Sequence, residues 1–417
     1  MPSITSSSIP ETNVSQRFDA PLPSTTPPEL GTTPRPYRAG LTPLPSHLRP
    51  HCLAKDRLRL WLPSDNTPRV ISVPDTPSSA PITDKQLNRI LEVMGASWAD
   101  RTKESYGSGL LVYHVYCDIH NIPEHQRCPI SITLLLSFLS GCAGTYSGSA
   151  ISNYAAGLRA WHLLHGHPWK ISSDELKSIL EGASRLAPPS SKRPKRDPFE
   201  VHTLLRFLTY LDISEHRDAA IYACIVTAFY CVARLGEFTV PAITKFDPTK
   251  HITRANVSHL RDPNGIHIIK FRLPSTKCAP EGEDTHCTPL NCLSDPLRAL
   301  NNHLALNPAP PNAHLFTWKH PESRLRPLSR TEVTKRIANI AATHNMPNLK
   351  GHSLRIGGTL HYLLRGTPFD VVKSMGRWAG DSFTLYLRQH AVILAPYLTD
   401  RPDILDRVTR YTMPPVR

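Results

Sequence analysis

The stretch from Ala219 to Ala233, AAIYACIVTAFYCVA, carries no charged residue along its whole length. It stops short of the roughly 18–20 apolar residues that a bilayer-spanning helix needs. A helix that is apolar on every side and too short for a membrane has to be wrapped by other protein. The second half of the chain must therefore build a sizeable core around it. The run closes in Arg234-Leu235-Gly236-Glu237. An arginine ending so apolar a helix faces either a partner or a site, and Glu237, one turn on, is placed to orient it.

The remaining chain arranges itself around that core. At 417 residues it is long enough for two domains and a tail. Residues 1–80 are dense in Pro, Ser and Thr and show no sustained period, so they are expected to be disordered. Their one apolar patch, Leu58–Leu62 (LRLWL), is either a docking segment or incidental. From Ile82 helix follows helix. Leu87, Ile90, Leu91 and Met94 share a face after Thr83-Asp84, and Tyr106, Leu110, Tyr113 and Cys117 share another. Segments 131–142, 147–164 and 174–183 read as further helices, so residues 81–183 form a helical domain. Residues 184–198 (SRLAPPSSKRPKRDP) break the pattern and make an extended linker with a basic cluster, Lys192, Arg193, Lys195 and Arg196. That cluster reads as a spacer that also contacts phosphates, and a nuclear import signal is compatible with it.

Residues 199–417 form the second domain. The fold class expected is mainly α with a small antiparallel β-sheet. Ile252–Arg261 and Ile266–Leu273 read as strands joined by the turn Asp262-Pro263-Asn264-Gly265. In the second strand Ile269, Phe271 and Leu273 alternate with Lys270 and Arg272, which gives one buried and one basic face. Ser275-Thr276-Lys277 follows at the tip. Ser329-Arg330-Thr331-Glu332 is a capping box, Thr367–Asp370 caps a later helix that Gly376 ends, and a last short helix follows His390.

A formal charge of +14 and a pI near 9.5 call for a polyanionic partner. Residues 1–30 lack the basic and apolar regions of a secretory signal, so the nine cysteines are expected to be reduced thiols of an intracellular protein, nuclear if the host is eukaryotic. Cys278, His286, Cys287 and Cys292 lack a CxxC pair and read as a loop with incidental cysteines rather than a zinc site. No Walker A sequence and no acidic cluster of the two-metal nuclease kind is present, so neither metal nor nucleotide cofactor is expected.

The chemistry concentrates in 351–388, with contributions from upstream. His352 and Arg355 stand at i, i+3 and share a helix face. Arg234 and Arg355 offer permanently charged forks for phosphate oxygens, which matter most when negative charge builds in the transition state. Tyr386 is the nucleophile such a set needs. Phenols titrate near about 10, so His352 is the base and the arginines favour phenolate. Lys277 is placed to protonate the leaving 5′ oxygen, and the Trp378 indole N–H to hold a phosphate oxygen.

These boxes resemble those of tyrosine recombinases, the phage-integrase family: ARLGEF the first arginine box, LPSTK the hairpin lysine, GHSLR the His-x-x-Arg box, and GRWAGDSFTLYLR the closing tyrosine box. GHSLRIGG followed by GRW is most like the recombinases of Crypton-type DNA transposons and their fungal relatives. Trp378 stands where many members have histidine, and Tyr386 lies eight residues beyond it, where nine is commoner. The resemblance implies a helical core-binding domain at 82–183 and a catalytic domain from 199. It also implies breaking and rejoining of double-stranded DNA through a 3′-phosphotyrosine, and assembly of several copies on the DNA, with no membrane involved. Two other readings stay open: a catalytically silent DNA-binding protein of the same fold, and a type IB topoisomerase.

Overall fold

The computed structural model describes residues 34, 36–64, 83–192, 195–322, 324–347, 349–386, 388–398 and 401–404. The chain divides into two units, Met1–Arg193 and Pro194–Arg417. The first is helical: α1 (Arg57–Leu60), α2 (Asp84–Gly95), α3 (Asp100–Ile119), α4 (Glu124–Arg127), α5 (Ile132–Cys142), α6 (Gly148–His165) and α7 (Ser173–Arg185). Side chains close the helix starts where the sequence offers a hydroxyl. Thr83 and Gln86 form a capping box on α2, and Ser131, Ser147 and Ser172 accept the first free amides of α5, α6 and α7. Leu110, Tyr113 and Cys117 of α3 meet Leu135, Phe138 and Leu139 of α5 and Ile151, Leu158 and Trp161 of α6 in one core.

Residues 36–64 correct the expectation of disorder over 1–80. Trp61 is fully buried in the same core, and its indole N–H donates to the Pro50 carbonyl at 3.0 Å. Trp161 donates to the Trp61 carbonyl at 2.7 Å, and Arg57 Nη1 to the Gly107 carbonyl at 3.0 Å. Arg49 reaches Glu124 at 2.6 Å, while Arg127 holds Asp118 at 2.8 Å. The segment lacks periodicity because it is a strap whose helical part is confined to the short stretch Ala54–Leu60. Its few long side chains anchor it, so LRLWL is a packed element. The rest of 1–80, apart from residue 34, lies outside the described residues, as does Arg193.

In the second unit, α8 (Val201–Tyr210) precedes α9 (His216–Tyr230), in which every residue from Asp218 to Tyr230 is buried, as the uncharged run requires. Three antiparallel strands follow, β1 (Val257–Arg261), β2 (His267–Leu273) and β3 (Glu283–Cys287), in the order β1-β2-β3. Val257 faces Phe271, and Phe271 faces Thr285. Two expectations change here. The first strand begins only at Val257, because Thr253 and Asn256 cap a 3₁₀ turn over Arg254–Asn256. The region read as a loop with incidental cysteines contains β3, whose Cys287 is buried. Then come α10 (Pro296–Leu306), the small hairpin β4 (Trp318–His320) and β5 (Arg324–Arg326), α11 (Arg330–Thr343), α12 (Gly351–Leu364), α13 (Phe369–Met375), a 3₁₀ turn over Asp381–Tyr386 and α14 (His390–Leu398). The Ser329–Glu332 capping box is present, whereas α13 starts after Pro368 with no side-chain cap. The architecture is mainly α with small antiparallel sheets. No described helix is long and apolar enough to cross a membrane.

Candidate active site

The site is assembled where α12 crosses the end of α9. A Cβ at Gly358 would sit 2.2 Å from the Phe229 carbonyl oxygen, so a glycine there lets the two helices close up. The approach carries Arg355 against the last turn of α9, and its side chain becomes completely buried. Arg355 Nη1 donates to the Val232 carbonyl at 3.0 Å and Nη2 to the Gly376 carbonyl. The guanidinium carbon lies 4.0 Å from the centre of the Trp378 ring, a cation–π contact in a desolvated setting. Gly376 has to be glycine, since a Cβ there would fall inside the Trp378 ring. Val232, a β-branched residue, holds a left-handed φ of 48°, a conformation sustained only when surroundings over-determine it.

Arg234 follows two residues later. Glu237 accepts from its backbone N–H at 3.0 Å and from Nη1 at 2.8 Å, so the acid one turn on fixes the guanidinium. Arg234 Nη2 also reaches Cys278 Sγ at 3.8 Å. That contact brings the loop after β2 to Arg234, and with it Lys277, which is exposed and forms no ion pair among the described residues.

Tyr386 ends the 3₁₀ turn over Asp381–Tyr386. The turn is pinned at its start by Lys373 Nζ on Asp381 at 2.7 Å and at its middle by Phe383, buried with Val232 and Trp378. Two aromatic neighbours hold the phenol ring, His352 at 5.1 Å edge-on and Trp378 at 5.8 Å between ring centres. Burial, then the charges of Arg196, Arg355 and Arg234, push the His352 pKa down to about 4. Its imidazole is therefore neutral at pH 7, with a lone pair open to a proton but less basic than a free histidine. Burial and neighbouring Arg234 lower Arg355 to about 10, which leaves it charged.

The structure thus brings Arg234, His352, Arg355, Trp378 and Tyr386 together, with Lys277 on the adjoining loop. It arranges the other basic candidates differently. Lys195 and Arg196 are exposed on the extended segment before α8, and Lys192 is exposed at the end of the first unit. Lys270 and Arg272 share one acid, Asp284, at 3.6 and 3.5 Å, so the basic face of β2 is partly neutralised by β3. Sequence reasoning passed over Arg377 and Glu283, and read Cys278, which meets Arg234, as incidental. Arg377, next to Trp378, has a side chain only 8% exposed and forms ion pairs with both Glu237 and Glu283. The only sequence signal for it was its place inside the GRW box.

No known family profile matches the chain, and no curated protein matches it. Solved structures to which it is similar include the XerH site-specific recombinase bound to palindromic difH substrate in a post-cleavage complex, at 13% identity over 79% of this chain and 85% of that one, TM-score 0.46. The Tn1549 transposon integrase in complex with transposon right end DNA is 11% identical over 78% and 99%, TM-score 0.44. The FLP recombinase–Holliday junction complex is 12% identical over 74% and 79%, TM-score 0.31.

Proposed function

We propose that this chain cleaves and rejoins double-stranded DNA through Tyr386, as a tyrosine recombinase or integrase acting in excision or integration of a DNA segment. The observation that carries the reading is the neutral His352 edge-on to Tyr386, beside Arg234, Arg355 and Trp378. In the cleavage step Tyr386 Oη attacks phosphorus, and its proton passes to His352. The P–O5′ bond breaks, with the proton from Lys277 going to the departing 5′ oxygen. Arg234 and the Trp378 N–H bind the non-bridging oxygens, where added negative charge needs fixed donors. Rejoining reverses the sequence, and because one phosphodiester is exchanged for another the step needs no external energy source. Leu394 and Leu398, one turn apart on α14, are exposed apolar residues on one face, which supports assembly of more than one copy on DNA.

Incubation with suicide duplexes tiled across the DNA flanking the gene is expected to trap a covalent protein–DNA adduct that Tyr386→Phe abolishes. An adduct surviving Tyr386→Phe overturns the assignment.

One observation favours a second reading, a DNA-binding protein without chemistry. Arg355 is wholly enclosed, and both of its terminal nitrogens are already given to carbonyls. For a phosphate to reach it, the Trp378 ring over the guanidinium or the Val232 and Gly376 carbonyls must give way. Active-site hydrogen bonds commonly form only in the substrate complex. Salt-sensitive DNA binding with no adduct from any duplex would establish the second reading instead.

A further inference from the structure

Arg377 holds a left-handed φ of 55° although it is not glycine, and its side chain is 8% exposed. Its Nη2 meets Glu237 Oε2, and its Nε lies 3.1 Å from Glu283 Oε1. Those two acids belong to different elements. Glu237, itself 7% exposed, also grips Arg234 at 2.8 Å. Glu283 opens β3 and accepts from Thr276 Oγ1 at 2.7 Å, the residue just before Lys277. The charges alternate along the chain of contacts Arg234, Glu237, Arg377, Glu283, and the Thr276 hydroxyl continues it to the lysine loop. Breaking a buried ion pair leaves an uncompensated charge, so this arrangement resists partial opening. An unfavourable backbone conformation beside a site persists only where its surroundings impose it, and here two carboxylates from separate elements do so.

We propose that Arg377 is a positioning residue that ties the Lys277 loop, through Glu283, to the Arg234 turn, through Glu237, and sets both against Trp378. The proposal rests on the cleavage reading above for its chemical consequence and on the structure alone for its mechanical one. Arg377 touches no reacting atom. Its effect is to keep a flexible, exposed lysine within reach of the leaving oxygen.

Two measurements on the full chain test it. By hydrogen exchange, Arg377→Gln is expected to speed amide exchange over 275–283 and 234–237 by about tenfold, with 100–165 in the first unit unchanged. Unchanged exchange over 275–283 overturns the proposal whether or not the protein cleaves DNA. By single-turnover cleavage, Arg377→Gln is expected to slow adduct formation on an ordinary phosphodiester about a hundredfold, the scale of a lost general acid. The defect should shrink to about threefold on a 5′-bridging phosphorothiolate, whose leaving thiolate needs no proton. A defect equal on both substrates overturns the proposal. Should Arg377→Gln fail to fold, Glu283→Gln keeps the Arg234–Glu237–Arg377 contacts and is expected to give the same loosening over 275–283 and the same thiolate rescue. Absence of any wild-type adduct would count against the cleavage reading, and the exchange result would still decide the role of Arg377.

Discussion

Arg49 and Arg127 in the first unit and Arg355 and Arg377 in the second are all withdrawn from solvent, yet their surroundings differ in kind. Arg49 and Arg127 face two carboxylates, Asp118 and Glu124, and the four charges balance. In the second unit Arg234, Arg355 and Arg377 gather around two, Glu237 and Glu283, and Arg355 meets neither within ion-pair distance. Arg234 acts on Arg355 as a like charge that lowers its pKa. Histidines repeat the contrast. His114 is enclosed by Trp61, Tyr113 and Trp161, its two ring nitrogens lack partners among the described residues, and burial drives its pKa well below the ordinary value. His352 is neutral too, but only half-buried and beside a phenol. A buried arginine matched by acids marks architecture, whereas Arg234, Arg355 and Arg377 outnumber their two acids beside His352 and Tyr386 and leave that region with a surplus of positive charge.

The largest effect should come from attacking that surplus. Arg234→Ala is expected to lower the rate of adduct formation about a thousandfold while DNA affinity changes far less, as for loss of a donor that acts mainly on the transition state. Arg49→Ala should behave oppositely. It leaves Asp118 and Glu124 with one cation and should destabilise the first unit by about 3 kcal/mol, read by urea unfolding, with the single-turnover rate of bound complex intact. If Arg49→Ala slows chemistry as much as Arg234→Ala, the distinction between the two sets collapses. Trp61→Ala tests the strap in the same unit. Removing a fully buried indole is expected to remove about 3 kcal/mol from the same transition, and no loss would mean the strap is not part of the folded core.

What could be read beforehand followed from periodicity and spacing. The uncharged run fixed α9 as a buried helix, and His352 with Arg355 fell on one face because α12 is a regular helix. The caps read at Thr83 and Ser329 do close helix starts, and the helices read from 131 and 147 begin there as well. The strap was illegible because Arg49, Cys52, Leu58 and Trp61 follow no period, and each is placed by its partner surface. Strand β3 (Glu-Asp-Thr-His-Cys) has little intrinsic strand preference and owes its conformation to pairing with β2. Arg377 was invisible for a related reason: its two acids lie 140 and 94 positions upstream, at Glu237 and Glu283, and no local pattern announces contacts of that range. Long-range ion pairs are tertiary facts, whereas a helix face is a local one.

Acid sharpens the contrast at smaller amplitude. His114 is held well below its ordinary value by burial, and His162, which accepts from the Ile130 amide at 2.9 Å, is lowered to about 4 by burial. Both have depressed folded-state values. As pH falls through 6.5 the unfolded chain takes up protons that the folded chain refuses, so stability falls from pH 6.5 toward 4 and is flat above. Cys52, with Arg57 and Asp56, and the cations Arg49 and Arg127 face the same cluster from the strap and α4. His114→Phe is expected to flatten part of this slope in the first unit, measured as the urea midpoint at pH 7 and pH 5. The second unit buries His303 and His314, lowered to about 4 and about 3, and should keep its own acid slope in that variant. A His114→Phe protein with an unchanged pH dependence would remove that histidine from the account.

The smallest expected effect concerns cations that look alike in sequence. Arg196 is exposed ahead of α8, among the groups that depress His352, and no carboxylate pairs with it among the described residues. Lys270 is tied to Asp284 at 3.6 Å, which Arg272 also contacts. A cation that neutralises a phosphate releases about one counterion, so Arg196→Ala should reduce the slope of log affinity against log salt by about 1. Lys270→Ala should reduce it by less, because Asp284 already screens the lysine and would be left half-paired in the variant, repelling the same backbone. Equal slopes for the two variants would mean that DNA strips Lys270 from Asp284 on binding. The basic face of β2 would then join Arg196 as part of the DNA track, and the rule that matched charges mark architecture would fail on that strand while still holding for Arg49 and Arg127, which share the withdrawn Asp118 carboxylate.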